Sequence, residues 1–439
     1  MRDPSLPRPF LSSTRSKKES TPQSQAVPKS NDGSPVAFYA LVFFTFIVYI
    51  APQAYFPVLK PLHLAQVSAI LACLLYVFAS PGGHRPLIVF NTETKLLFVI
   101  VVLACLSIPF SRWPGGSLDV LTGQLMKAII VFFLISHLIT SVDRLKLMLW
   151  YIILFCTFIS IIGIKSYLSG NLYELGRIKG AAAGITANPN DLALTLVLVI
   201  PFALSMYLTS SGSRKIISGL YILLSTGAIF CTFSRGGFLV LVVIFIGYFL
   251  KLSRQTGPKI YVIAAILIVG FFLALPEGYT DRISSIFDSS KDATGSALER
   301  QASTRRAVGI IRTHPLVGVG LGMNTLALND MGLNWTRIHN VFLQIGADLG
   351  IPAMLVFAIL LYTLIRNMRR IQSSLRKEGE TSDLLFFVQS AEVSLLGFAL
   401  CTLFYPVAYN FYFYYLAGYA VALKKIYEGH LLHAKPAVT

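Results

Sequence analysis

Long apolar runs separated by short polar breaks set the character of this chain. A helix needs about 20 apolar residues to cross a bilayer. Runs near that length fall at 36–56, 62–80, 95–110, 118–140, 145–168, 190–209, 215–232, 236–253, 259–276, 339–365, 384–404 and 408–427. The pattern predicts an all-α polytopic membrane protein with about twelve transmembrane helices. The breaks are unequal. With the N-terminus on the cytoplasmic side and the spans alternating, one large loop, 277–338, joins helices 9 and 10 on the outer face. A shorter one, 169–189, lies on the same side. Loops this long without apolar periodicity are usually functional or disordered. Polar groups gathered at one face point to an enzyme working there rather than to a conduit, which needs both faces.

Composition supports the membrane reading and removes another. The chain is 55% hydrophobic and 13% charged, against roughly a quarter charged in soluble domains. Its net charge of +17 would suit a nucleic-acid partner, but the distribution argues otherwise. Under the same topology, 23 of the 37 Lys and Arg fall on the cytoplasmic side, including Lys251, Arg254 and Lys259 and the group Arg366, Arg369, Arg370, Arg376 and Lys377. That bias is what positive-inside orientation requires, so membrane lipids and not nucleic acid are the expected partners. Residues 1–35, rich in Ser, Pro and Lys, are expected to be a disordered cytoplasmic tail and not a signal peptide. Residues 36–427 form the transmembrane domain, and 428–439 a cytoplasmic C-terminal tail. The five cysteines lie in apolar spans without paired spacing, and the histidines form no metal motif. Neither a disulfide framework, a metal nor another cofactor is expected.

Several polar groups at the outer ends of spans are candidates for chemistry. His339 and Asn340 open the run 339–365 where the long loop ends. A neutral imidazole there could activate a hydroxyl; it could equally anchor a helix end at the headgroups. Ser234-Arg235-Gly236-Gly237 forms a tight turn between two spans. Its guanidinium suits phosphate oxygens, or snorkels to lipid. Asn188-Pro189-Asn190-Asp191 leads into the span at 190–209 with strong N-capping residues. Three helix N-termini, at Asn188/Asn190, Arg235 and His339, would then face one compartment, an arrangement suited to a diphosphate.

The stretch Ser296–Thr313 carries Arg300, Arg305, Arg306 and Arg312 and is predicted to be one helix ended by His314-Pro315. At 100° per residue Arg300 shares a face with Ala307 and Ile311, while Arg305 and Arg312 point the other way. Arg300 is therefore the first candidate for an anion ligand. The following Pro-Leu-Val-Gly-Val-Gly-Leu-Gly is read as a tight approach to the site. Lys127 and Asp348 are ionisable residues inside spans, where charges are costly. They are expected to pair as a structural clasp, with ion or proton coupling as the alternative.

Together, Arg235, Asn188-Pro189-Asn190, Arg300, the sequence His314-Pro315-Leu316-Val317-Gly318-Val319-Gly320 and His339-Asn340 resemble the O-antigen ligase and polymerase superfamily. The resemblance covers the organisation of 36–427 and is most specific from 296 to 352. It implies a bacterial inner-membrane glycosyltransferase with its site on the periplasmic face. The implied donor is an undecaprenyl diphosphate-linked glycan, and the acceptor is lipid A-core for a ligase or a second lipid-linked glycan for a polymerase. It places phosphate binding on Arg235 and Arg300 and acceptor activation on His339; Arg305, Asn188, Asn190 and Asn340 are the expected substrate-binding residues beside them. Asp348 stands where the family often has Glu, and no aromatic follows Arg300 near Val308, which keeps Arg305 as an alternative to Arg300. Ligase-like transfer, metal-independent and inverting, is the leading expectation. A polymerase, a protein O-oligosaccharyltransferase and, more distantly, a transporter or flippase remain the alternatives.

Overall fold

The structure is a computed structural model that describes residues 34–78, 89–173, 176–180, 184–256, 279, 296–378 and 382–434. The ninth apolar run, 259–276, lies outside the described residues, as do 1–33 of the N-terminal tail, 435–439, and 280–295 of the long loop. What is described is helical. Its helices are α1 (Pro35–Ile50), α2 (Leu64–Phe78), α3 (Thr92–Ser107), α4 (Pro114–Leu138), α5 (Val142–Leu168), α6 (Pro189–Thr209) and α7 (Gly212–Cys231). They continue with α8 (Arg235–Thr256), α9 (Ser296–Thr313), α10 (Asn324–Asp330), α11 (Val341–Lys377), α12 (Asp383–Cys401) and α13 (Phe411–Ala434). Among the described residues seven helices are long and apolar enough to cross a membrane: α1 with its continuation to Tyr55, then α4, α5, α6, α7, α11 and α12. Helices α2, α3, α8 and α13 occupy four more of the predicted apolar runs.

Burial separates central helices from peripheral ones. In α6 and α12, nearly every position from Leu192 to Ala203 and from Leu384 to Val393 is covered. These two helices pack against each other, α6 also against α7, and α12 also against α8 and α11. The outer helices instead leave large apolar side chains uncovered, such as Leu223, Ile359 and Tyr362. Apolar exposure on that scale belongs against lipid.

Few hydrogen bonds are available between apolar helices, and serines supply them. Around Pro201 in α6, Tyr248 Oη and Ser390 Oγ both donate to the Pro201 carbonyl, at 2.9 and 2.8 Å. Ser394 Oγ donates to the Leu198 carbonyl at 2.9 Å. These bonds tie α6 to α8 and α12 through the backbone carbonyls of Leu198 and Pro201.

The longest helix is two helices. Gly350 in α11 has φ 85° and ψ 175°, a conformation that interrupts the ladder between Val341–Leu349 and Ile351–Lys377 and is essentially reserved to glycine. The glycine-rich loop heals the break. Val319 N donates to the Ala347 carbonyl (2.8 Å), Gly320 N to the Asp348 carbonyl (3.0 Å), and Ile351 N to the Pro315 carbonyl (2.7 Å). Such contact needs bare backbone on both sides: a Cβ on Gly318 would lie 2.3 Å from the Asp348 carbonyl carbon, and one on Gly350 would lie 2.4 Å from the Leu316 oxygen. The glycine-rich loop, expected as a tight approach to the site, also splints the break in α11.

The same junction corrects the clasp expected between Lys127 and Asp348. Asp348 is fully buried and takes its partners from elsewhere. Asn324 gives its backbone N–H to Asp348 Oδ1 (2.7 Å) and its side-chain amide to both oxygens (3.0 and 2.9 Å). Tyr409 Oη donates to Asp348 Oδ2 at 3.0 Å. Asp348 thus pins the start of α10 to α11 and to the segment before α13, while half-buried Lys127 forms no ion pair with it.

Candidate active site

The starts of α6 and α8 are joined at Asn190, Ser234 and Tyr405, and α9 packs against α11 with Arg300 acting on Tyr405. Each start is built by its own sequence. Asn188 caps α6, its Oδ1 accepting from Asp191 N at 2.9 Å, with Pro189 in the first turn. Ser234 Oγ accepts from Gly237 N at 3.3 Å at the head of α8. Asn340 Oδ1 accepts from Leu343 N at 3.0 Å and caps α11. Capping therefore accounts for Asn188 and Asn340, and it aims three positive dipole ends towards the same end of the molecule.

The two glycines after Arg235 have a steric reason. A Cβ on Gly236 would come within 2.7 Å of the Tyr405 ring, and one on Gly237 within 2.6 Å of the Ala193 methyl. Their absence lets α8 start close against α6 and the Tyr405 segment. Here Ser234 Oγ donates to Asn190 Oδ1 at 2.9 Å and lies 3.0 Å from Tyr405 Oη. The same Asn190 oxygen accepts from Arg177 Nη2 at 2.9 Å, and Arg177 Nε donates to the Thr232 carbonyl at 2.7 Å. Arg235, half-buried, extends from the head of α8 beside this network.

Across from it stand α9 and the residues before α11. Glu299 accepts a hydrogen bond from Thr336 Oγ1 at 2.7 Å, tying α9 to the turn that presents His339. Arg300 is half-buried, and its charge acts on both His339 and Tyr405. Asp191 in turn feels Arg337. Tyr405 therefore stands between the two groups, in contact with Ser234 and in the field of Arg300 and Asp191.

His339 is held in one chemical state. Its Nδ1 lies 2.9 Å from the Arg337 carbonyl, an acceptor only, so Nδ1 carries the proton and donates. Nε2 is left with a free lone pair. Burial, and after it the neighbouring Arg300 guanidinium, push the imidazole down from its ordinary value to about 4. At neutral pH the ring is uncharged and can accept a proton at Nε2.

The structure sorts the remaining candidates. Arg300, His339 and Asn190 come together through Tyr405 and Ser234, with Arg235 at the head of α8. Arg305 and Arg312 are exposed, on the side of α9 away from buried Ala307 and Ile310. Arg306 is also exposed and donates to the Met331 carbonyl. Tyr405, Arg177 and Arg337 did not emerge from the sequence pattern. Arg177 lies in the shorter loop 169–189 and Arg337 two residues before His339, both in segments the sequence had marked as polar. Tyr405 sits in Phe-Tyr-Pro-Val, a brief break between two apolar runs, and carries no charge to mark it. Among the described residues no group of three or more His, Cys, Asp or Glu could hold a metal ion.

This is the arrangement of a multi-pass membrane protein with arginines and a neutral imidazole gathered at one end. Residues 220–358 match the model of the family described as O-antigen ligase. The match supports the O-antigen ligase and polymerase superfamily, as the motifs led us to expect, and that family implies a membrane glycosyltransferase-like enzyme of ligase or polymerase type. It runs from α7 into α11 and includes Arg235, Arg300, Arg305, His339 and Asn340. Asn188, Asn190 and Tyr405 fall outside it. No curated protein matches the chain.

Proposed function

We propose that the protein transfers a glycan from an undecaprenyl diphosphate-linked donor to an acceptor hydroxyl on the periplasmic face, with lipid A-core as the acceptor of a ligase. The observation that carries the reading is the pairing of Arg300 with a neutral, Nδ1-protonated His339 at the head of α11. The transfer breaks the bond between the anomeric carbon and the diphosphate oxygen and forms one to the acceptor oxygen. His339 Nε2 takes the acceptor proton. Arg300 and Arg235 meet the charge that grows on the departing diphosphate, and the helix N-termini of α6, α8 and α11 add to that field. Arginine gives this stabilisation without a metal, so the reaction proceeds in EDTA. A single displacement inverts the anomeric centre.

The test is transfer by the purified full-length protein in detergent with a lipid-diphosphate-linked donor and EDTA. Lipid A-core and a second donor molecule are offered as competing acceptors. The reading expects transfer by the wild type that collapses in Arg235→Ala, Arg300→Ala and His339→Ala, with an inverted product. Consumption of the second donor instead of lipid A-core would make the protein a polymerase. A folded protein that moves the lipid-linked glycan across vesicles without forming a new glycosidic bond would be a flippase, and the proposal would be wrong.

A further inference from the structure

Helices α8 and α11 carry a second cluster of charge far along the chain from Arg235 and His339. Lys251 of α8 donates to Glu392 Oε2 of α12 at 2.6 Å and to Gln372 Oε1 of α11 at 2.8 Å. Arg369 Nε donates to Glu392 Oε1 at 2.9 Å. One buried carboxylate thus has both oxygens engaged by two cations. Two further cations, Arg376 and Lys377, follow on α11. Arg376 lies near enough to Lys251 to act on it electrostatically. Its Nη2 is buried with no hydrogen-bond partner among the described residues. These four cations and Glu392 line a cavity of about 660 Å³ whose apolar wall includes Leu250 and Leu396.

Four cations against one carboxylate leave a positive excess, and a buried guanidinium nitrogen without an acceptor is costly. The charge excess is offset by one ligand chemistry, which the accessible part of the half-buried Arg376 guanidinium can meet from the cavity it lines. A phosphate brings negative charge and several acceptor oxygens, and a guanidinium meets it with two parallel donors. An apolar wall beside such a headgroup site suits acyl chains, as in basic pockets between transmembrane helices that hold anionic lipids. The cavity lining contains no histidine and no free carboxylate, so nothing there would accept a proton from a substrate. We propose that this cavity, formed by α8, α11 and α12, is a binding site for a phosphate-bearing anion, with the headgroup of an anionic phospholipid as its source. The inference is independent of which glycan is moved.

Binding is measured on the full-length protein in neutral detergent, with short-chain phosphatidylglycerol, short-chain phosphatidylcholine and inorganic phosphate as separate probes. Saturable binding of phosphatidylglycerol over phosphatidylcholine is expected. Arg376→Gln weakens it roughly tenfold, the scale of a charge-assisted hydrogen bond, and Arg376→Lys, which keeps the charge but loses the fork, weakens it less. Arg300→Ala leaves it unchanged, which separates this cavity from the site at His339. Inorganic phosphate binding in place of the lipid, with the same loss in Arg376→Gln, would support the site and make free phosphate its source. No saturable binding of either anion, or equal binding by wild type and a folded Arg376→Gln, would overturn the proposal, as would loss of binding in Arg300→Ala alone.

Discussion

The site around His339 and the cavity around Arg376 are both basic and share α8 and α11, yet only one is equipped for chemistry. In the cavity the carboxylate is saturated, with Glu392 holding Lys251 and Arg369, and the cations left over can only bind. At His339 the carboxylates nearby are occupied by polar neighbours: Glu299 by Thr336 and Asp191 by Asn188. What that region adds is an imidazole with a fixed tautomer, kept neutral by its surroundings. On the proposed function, cation excess alone makes an anion site, and cation excess beside a neutral base makes a transfer site. The distinction rests on one residue.

Removing that residue is the largest expected effect. General-base catalysis contributes about 10²–10⁴-fold, so His339→Ala should lower turnover by that order while donor binding changes little. Near-normal turnover in folded His339→Ala would erase the difference between the two regions. Next comes Arg300→Ala. Loss of one preorganised donor to a developing anion costs about 10²–10³-fold in comparable sites, whereas exposed Arg305→Ala should cost no more than a few-fold. A reversal of that order would return the role to Arg305 and put the α9 register in doubt.

Between the two regions lies the break at Gly350, and it gives a stability effect rather than a catalytic one. A side chain there must adopt a conformation costing about 1–3 kcal/mol and also collides with the Leu316 carbonyl. Gly350→Ala should therefore lower the thermal midpoint of the whole protein. Loss of activity without loss of stability would mean that the break serves the site alone. Smaller still is Tyr405→Phe, which removes the hydroxyl beside Ser234. A single hydrogen bond contributes about 0.5–1.5 kcal/mol, so the expected result is a loss of up to roughly tenfold in kcat/KM. Ser234→Ala should produce a similar loss, and the double variant should lose less than the product of the two.

Much of the fold was legible because apolar runs report helices directly: α9 runs from Ser296 to Thr313 as its pattern predicts. Within that helix the side of each arginine was also legible, since a period of 3.6 residues fixes azimuth over short distances. What periodicity cannot give is the azimuth of one helix relative to another. Lys127 and Asp348 were placed in separate spans, and that was not enough to show that Asp348 turns towards Asn324 and Tyr409. The glycines from 318 to 322 were visible as close-approach residues, but the surface they approach, the broken backbone of α11, exists only after folding. Tyr405 was hidden for the same reason. Its role comes from the helix starts that converge on it.

The finest contrast concerns the proton itself. In the free protein burial and the Arg300 guanidinium hold His339 at about 4, so its neutral form persists as pH falls from neutrality towards that value. A bound diphosphate compensates the Arg300 charge and removes part of the penalty on imidazolium, which raises the value in the complex. Because kcat/KM reports the free enzyme and kcat the complex, the acid limb of kcat should lie at higher pH than the limb of kcat/KM. Arg300→Ala should close the gap by moving the kcat/KM limb upward. Stability follows the same sign: a lowered histidine favours folding above its ordinary value of about 6.5. That contribution shrinks as pH falls from there towards 4. Coincident limbs in the wild type, unmoved by Arg300→Ala, would uncouple Arg300 from His339 and leave the region a cluster of basic residues without a tuned base.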